Sequence, residues 1–295
     1  MVQIGFIGAG TVGTALAMSL SKAGYDVVAV FSRTFSSAER LASQVARAHA
    51  VGSGQEVADV ADLVFVTTPD DAIEQVVAEI RWRPGRHVVH CSGVASVDIL
   101  DRATRQGAFP GTFHPLQSFA NVEQAILNLP GSTIAIEGAE HTRGVLKKLA
   151  EAVGGRWVEL KPGDKVLYHA AAVIISNYTV ALAKMATDLW AEFGVDTREA
   201  TSALMPLLQG TVNNISNVGL PNCLTGPIAR GDVGTITKHL EALEARAPSI
   251  LEAYRVLGLQ TIPVSLGKGK IDDEVAKHLK ELFSDKAPST TACRD

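Results

Sequence analysis

Residues 4–13 read Ile-Gly-Phe-Ile-Gly-Ala-Gly-Thr-Val-Gly, a short apolar run that passes into Gly8-x-Gly10-x-x-Gly13 and then into a helical pattern. No other stretch constrains the fold as tightly, because each glycine meets a separate physical demand. Gly8 permits a tight turn off a strand, Gly10 lets the backbone approach a phosphate, and Gly13 lets the next helix pack closely on the sheet. The first turn of that helix offers N–H donors without intrahelical partners to negative charge. A glycine triplet alone is a weak signal; its place between a predicted strand and a predicted helix makes it informative. Gly24 stops the helix, and a second strand over Asp26–Phe31 completes a strand–helix–strand unit. The pattern predicts a dinucleotide-binding turn formed by Gly8, Ala9, Gly10, Thr11, Val12 and Gly13.

The end of the second strand narrows the dinucleotide. Recognition of a ribose 2′-hydroxyl calls for Asp or Glu about 20 residues beyond the glycines. Here the chain reads Phe31-Ser32-Arg33-Thr34, with no carboxylate in that place. A carboxylate would repel a 2′-phosphate, whereas Ser32 and Thr34 can donate hydrogen bonds and Arg33 can form a charged fork. NADP is therefore the expected cofactor. The same segment also reads as a helix start, with Ser36 and Glu39 spaced as a capping box.

At 295 residues and 46% hydrophobic, the chain has material for two cores. A net charge of −4 and the lack of a Lys/Arg run argue against a nucleic-acid partner. The N-terminus reads as a core strand rather than a signal peptide. No uninterrupted apolar run reaches the roughly 18 residues that span a bilayer. Cys91, Cys223 and Cys293 are odd in number and widely spaced, so neither a disulfide framework nor a metal site is expected. A cytoplasmic setting without a membrane partner is the expectation.

Strands and helices alternate through the first half. Residues 36–47 read as a helix, 62–68 as a strand covered on both faces, and 69–80 as a helix opened by Pro69 and Asp70. Strands are predicted over 86–91, 107–113, 132–137 and 156–160, with helices from about residue 95 and over 140–153. The pattern changes at Lys161-Pro162-Gly163: residues 164–193 hold neither Gly nor Pro and read as one long helix. Further helices are predicted over 197–217, 234–247, 249–257 and 272–283. The organisation is a doubly wound α/β domain over 1–160, an all-helical domain over 161–285 and a polar, frayed tail over 286–295.

Residues just after strands are the first candidates for chemistry, because such a sheet presents a cofactor at its carboxyl edge. Thr67, Thr68 and Pro69 lie at one strand end and Ser92 and Gly93 at the next, all as candidate cofactor contacts. Cys91-Ser92 lacks the flanking glycines of a nucleophile elbow. His114 follows the predicted strand 107–113, where Pro115 forces it into extended conformation, and it can donate to a substrate carbonyl or carboxylate. His90, earlier in its strand, reads as buried structure. On the long helix, at about 100° per residue, Lys165, His169, Ala172, Ser176, Thr179 and Ala183 share one face. Reducing a carbonyl leaves a developing alkoxide that needs a proton donor and positive charge. Lys165, its pKa lowered by burial, suits both tasks, with His169 one turn on. The bland reading makes Lys165 a solvated first-turn residue. In 225–232, Thr225 and Arg230 are candidate substrate contacts, Arg230 as a carboxylate clamp; a plain helix connection capped by Asp232 is the alternative.

Together, Gly8-Ala9-Gly10-Thr11-Val12-Gly13, His114-Pro115, Lys165-x-x-Tyr168-His169 and Thr225-Gly226-Pro227 resemble the Rossmann-like proteins that carry the helical domain of unknown function 2520, over roughly residues 1–285. That family looks like a relative of the 6-phosphogluconate and 3-hydroxyacid dehydrogenases, whose catalytic helix places a lysine one turn before an asparagine. Lys165 matches the lysine, while His169 stands in place of the asparagine. The resemblance implies a Rossmann domain followed by an all-α domain of the 6-phosphogluconate dehydrogenase C-terminal kind; the long helix suggests a homodimer packed through the helical domains. It implies an NADP-dependent reductase of a small carboxylate-bearing carbonyl, with ketopantoate as the first candidate. Imine reduction of the pyrroline-5-carboxylate type, hydride transfer with deazaflavin, and a non-catalytic NADP sensor are the alternatives.

Overall fold

The computed structural model describes residues 2–284; the expected tail at 286–295 and Cys293 lie outside the described residues. The chain divides into two compact units, Met1–Asn177 and the remainder from Tyr178. In the first, β1 (Gln3–Ile7), α1 (Thr11–Lys22), β2 (Asp26–Phe31), α2 (Phe35–Ser43), β3 (His49–Ala50), α3 (Gly54–Val60) and β4 (Leu63–Val66) form the opening half. There follow α4 (Ile73–Glu79), β5 (His87–His90), α5 (Asp101–Thr104), β6 (Phe109–Leu116) and α6 (Val122–Asn128). The unit closes with β7 (Thr133–Gly138), α7 (Glu140–Ala152), β8 (Arg156–Glu159) and α8 (Lys165–Ile175).

The strand order is β3-β2-β1-β4-β5-β6-β7-β8. All neighbours are parallel except β6 and β7, which pair antiparallel with His114 opposite Ala135 and Thr112 opposite Glu137. The order reverses between β1 and β4, and such a switch point opens a crevice at the strands' carboxyl ends. Alternation along the strands explains their unbroken apolar runs. Ile4, Phe6, Leu63, Phe65 and Val89 face one core, while Ile7, Val64, Val66 and Val88 face the other. Phe6 stacks on Phe65 at 5.1 Å, and Phe65 meets Phe113 edge-on at 5.5 Å. Each such buried ring contributes about 1.5–3 kcal/mol, which fixes the strands that carry the site.

The second unit contains α9 (Asn177–Ala191), α10 (Thr197–Val218), α11 (Pro227–Arg230), α12 (Val233–Arg246), α13 (Pro248–Gly267) and α14 (Asp273–Ser284). Its core joins α12, α13 and α14 through Ile236, Leu240, Ile262, Ala276, Leu279 and Phe283. The Phe283 ring lies where a side chain on Gly258 would stand, 2.4 Å from its Cβ position, so a small residue is required there.

Several expected boundaries are corrected. The helical stretch from Lys165 does not run unbroken: α8 ends at Ile175, and a turn at Ser176 precedes α9. The compact units divide after Asn177, so α8 packs with the sheet through the contacts of Lys165 and Tyr168 described below. His114 does not follow its strand; β6 extends through Leu116 because β7 supplies an antiparallel partner. Helix α2 starts at Phe35 behind Thr34, which places Ser36 inside it rather than at its cap. Among the described residues the stretch Lys165–Ala191, α8 and α9 taken together, is long and apolar enough to cross a membrane by length and composition, with mean hydropathy 1.5. Its alanines raise the average although polar residues interrupt the run.

Candidate active site

The glycine turn forms at the switch point as its residues dictate. Gly8 adopts φ +113°, and its N–H donates to the Phe31 carbonyl at 2.8 Å. A side chain on Gly8 would meet the Thr67 backbone at 2.6 Å, and one on Gly13 would meet the Gly8 carbonyl and the Thr67 hydroxyl at 2.5 Å. Thr67 donates its hydroxyl hydrogen to the Gly8 carbonyl at 2.8 Å, so this residue shapes the turn. Gly10 is different: a side chain there would meet nothing within 4 Å. It precedes α1 and supplies no side-chain cap to that helix's first turn. A cavity of about 610 Å³ adjoins it, lined among others by Gly10, Thr11, Ser37, Arg40 and Asn121. Ser32 is half-buried and Arg33 and Thr34 are exposed at the end of β2.

At the end of β4, Pro69 precedes a short 3-10 turn, and the Thr68 hydroxyl is buried without a hydrogen-bond partner. Ser92, after β5, donates to Asp70 at 2.6 Å and accepts from the N–H groups of Val94 and Ala95. Its hydroxyl is thus committed to holding the loop, a role the sequence reading did not give it.

Around Gly93 the first unit assembles its charged and imidazole side chains. A Cβ on Gly93 would stand 2.5 Å from His169 Nδ1 and 2.8 Å from His114 Nε2; glycine here lets both rings converge on the loop. His114 Nδ1 lies 2.8 Å from the Tyr168 hydroxyl, and the His114 ring meets those of Tyr168 and His169 edge-on. Burial, with the Lys165 and His169 charges, pushes the His114 pKa down to about 4. Burial pushes the Tyr168 phenol up. His169 Nδ1 is buried and has no hydrogen-bond partner.

Lys165 opens α8 with 3% of its surface exposed, and its Nζ lies 3.5 Å from Glu137 Oε2 on β7. Neither atom makes a hydrogen bond of good geometry, so this is a loose ion pair inside the fold. Burial lowers the lysine pKa, and the nearby carboxylate opposes that shift. The solvated alternative for Lys165 is excluded by its burial. Glu137 was missed from sequence; the signal was there, a single carboxylate closing the apolar strand Thr133–Gly138.

Beneath the cluster, His90 is fully buried, with Nε2 3.2 Å from the Ser96 carbonyl and Nδ1 accepting from the Ser92 N–H. Burial and the Lys165 charge push its pKa down to about 3. Burial pushes the Cys91 thiol up to about 12, which leaves it unreactive as a thiol nucleophile.

The remaining candidates do not join this cluster within the first unit. Ser176 is exposed at the end of α8. Thr225 and Arg230 belong to the second unit, where Gly226 at φ +91° leads into α11. Arg230 is exposed, 3.9 Å from Asp232, which caps α12 through the Thr235 N–H.

Residues 1–115 match the Rossmann-like domain family and residues 132–261 the domain of unknown function 2520. The class defined by the fold and glycine turn is thus a dinucleotide-binding domain followed by a helical one. More narrowly, the chain matches a Rossmann-like domain followed by a domain of unknown function 2520. No curated protein matches its sequence significantly. Among solved structures it is similar to a Bacteroides fragilis protein provisionally described as an NADP oxidoreductase, with 25% identity and TM-score 0.71 over 89% of this chain and 98% of that one. It is also similar to protein TM1727 from Thermotoga maritima, with 26% identity and TM-score 0.68 over 95% and 98%. A reductive aminase from Aspergillus terreus, solved with NADPH and ethyl levulinate, shares the fold at 20% identity and TM-score 0.63 over 95% and 99%.

Proposed function

We propose that this chain is an NADP-dependent oxidoreductase that reduces the carbonyl carbon of a small carboxylate-bearing molecule, with a branched 2-oxo acid of the ketopantoate kind as the first candidate. One observation carries the reading: a buried cation and two imidazoles stand at the carboxyl edge of the same sheet that forms the glycine turn. The residues fit the cofactor. The open space over Gly10 and the uncapped first turn of α1 suit a pyrophosphate. Ser32, Arg33 and Thr34, with no carboxylate beside them, suit a 2′-phosphate, and Thr68 and Gly93 flank the crevice further along. When bound, NADPH supplies the hydride.

The chain's own groups do the rest. Lys165 provides positive charge where negative charge develops on the acceptor oxygen, and burial strengthens that field. His114, neutral at physiological pH, presents a ring nitrogen beside Gly93, and His169 lines the same spot. Lys165, with its lowered pKa, supplies the proton that completes the alcohol. Ser176, at the end of α8, is proposed to line the substrate's path. The likeness to the Bacteroides fragilis protein supports an NADP oxidoreductase in general and leaves the acceptor to experiment.

A homodimer is part of the proposal. Leu167, Ile174, Val180 and Leu207 are exposed apolar side chains on α8, α9 and α10, and a second copy would cover them. Light scattering on the purified chain tests it; a monomer at micromolar concentration would remove it.

The deciding assay follows NADPH oxidation against 2-oxo acids, cyclic imines and deazaflavin. Turnover with a 2-oxo acid that falls by ~100-fold or more in Lys165→Ala supports the reading. Preference for an imine or deazaflavin moves the chain to those reactions, and NADPH binding without turnover on any acceptor makes it a sensor.

A further inference from the structure

We propose that Tyr168 is a positioning residue for His114: its hydroxyl donates to Nδ1, and this fixes the proton of the ring on Nε2, the nitrogen that faces Gly93. The consequence for chemistry rests on the reductase reading above; the tautomer itself does not. His114 is thereby a neutral, directional N–H donor to the acceptor oxygen, and Lys165 is the only one of the two that brings charge.

The direction of the bond follows from what each group can do. A neutral imidazole carries one donor and one acceptor nitrogen, and a phenol is a good donor and a weak acceptor. The Tyr168 hydroxyl has one hydrogen-bond partner among the described residues, His114 Nδ1 at 2.8 Å. If Nδ1 carried the proton, it would donate to the phenol oxygen, and the half-buried hydroxyl would be left without an acceptor. With the hydroxyl donating, the phenol hydrogen and Nδ1 are both satisfied. Nε2 then holds the N–H, and it has no hydrogen-bond partner among the described residues. It lies 2.8 Å from the position a Gly93 side chain would take, on the loop that ends β5.

The ring has little freedom to escape this arrangement. Tyr168 meets it at 88° with centroids 5.5 Å apart, and His169 at 77° with centroids 6.0 Å apart. Its backbone is held in β6 by pairing with β7 and by the following Pro115. Burial keeps it neutral at physiological pH, as a single-tautomer donor requires. Tyr168 and His114 are 54 residues apart in sequence, so the pair exists because α8 packs on the sheet.

The test is nitrogen-15 NMR of the histidine rings in the full chain at pH 7, with His114→Asn identifying the His114 signals. The expected wild-type pattern is a protonated Nε2 and a bare, hydrogen-bonded Nδ1. In Tyr168→Phe the Nδ1 resonance is expected to move toward that of a bare nitrogen without a hydrogen bond. NADPH affinity should be unchanged and kcat on the best acceptor should fall about tenfold. A protonated Nδ1 in the wild type overturns the proposal, as does a Tyr168→Phe spectrum with an unmoved Nδ1 or an unchanged kcat. The wild-type measurement decides even where the variant fails to fold. Because the ring signals need no turnover, loss of the reductase reading and loss of this tautomer are told apart.

Discussion

The buried histidines make a quantitative claim about acid. His90 and His114 have folded pKa values near 3 and 4, against 6.5 for the free side chain. Both are depressed, so the unfolded chain binds more protons than the folded one once the pH falls below about 6.5. Stability from this source is present above that pH and drains away as pH falls toward 4. Between pH 7 and pH 5 each histidine takes up nearly a full proton on unfolding, which corresponds to about 2 kcal/mol apiece and about 4 kcal/mol together. The perturbation is that pH step, applied to the wild type and to His90→Gln. His90 is the cleaner site because it is fully buried and both ring nitrogens are occupied by the Ser92 N–H and the Ser96 carbonyl. Glutamine can still reach the Ser96 carbonyl but cannot take up a proton. Urea unfolding followed by circular dichroism at the two pH values gives four free energies. The wild type should lose about 4 kcal/mol, the variant about 2 kcal/mol, and their difference isolates His90. Equal losses in the two proteins, or a wild-type midpoint that does not move, would refute the argument.

Other outcomes follow from single contacts. Lys165→Met leaves Glu137 as an unpaired buried carboxylate and should cost about 3–5 kcal/mol in urea unfolding; adding Glu137→Leu should restore most of that loss. Gly93→Ala drives a methyl group into His114 and His169, costing about 1–3 kcal/mol in the same experiment. An unchanged stability there would mean that the two rings can shift without cost. Arg33→Ala should raise the NADPH dissociation constant by about 10-fold to 100-fold and leave NADH nearly untouched, as read by cofactor fluorescence titration.

The parts of this molecule legible in sequence are those fixed by neighbours along the chain. The glycine turn was readable because strand, turn and helix succeed one another within 3–22, and Asp26–Phe31 because its flanks stop it on both sides. The short β3 and α3 and the seven-residue α6 carry too few apolar positions to set a period, and sequence reading did not find them. Strand β6 was read three residues short because His114 and Pro115 look like a strand's end until an antiparallel partner is supplied by β7.

The site divides the same way, and the division says what kind of information a catalytic cluster carries. Lys165 and His169 share a helix face, so their association is local arithmetic. The contacts of Glu137 and Tyr168 entered only through the fold, although Tyr168 stands in the motif beside Lys165: Glu137 faces Lys165 from β7 and Tyr168 meets His114 from α8. Their side-chain polar atoms have few partners. The Glu137 carboxyl oxygen nearest Lys165 makes no hydrogen bond, and the Tyr168 hydroxyl makes one. A buried polar group with one partner is costly to keep for stability alone. A sheet assembled only for packing would place an apolar residue opposite Thr112, as it places Ala135 opposite His114. That it places a carboxylate there, under a lysine with 3% exposure, argues that the lysine's charge is kept in the fold for use. The Lys165→Met, Glu137→Leu pair tests this directly: stability regained without activity separates the pair's chemical role from its structural one.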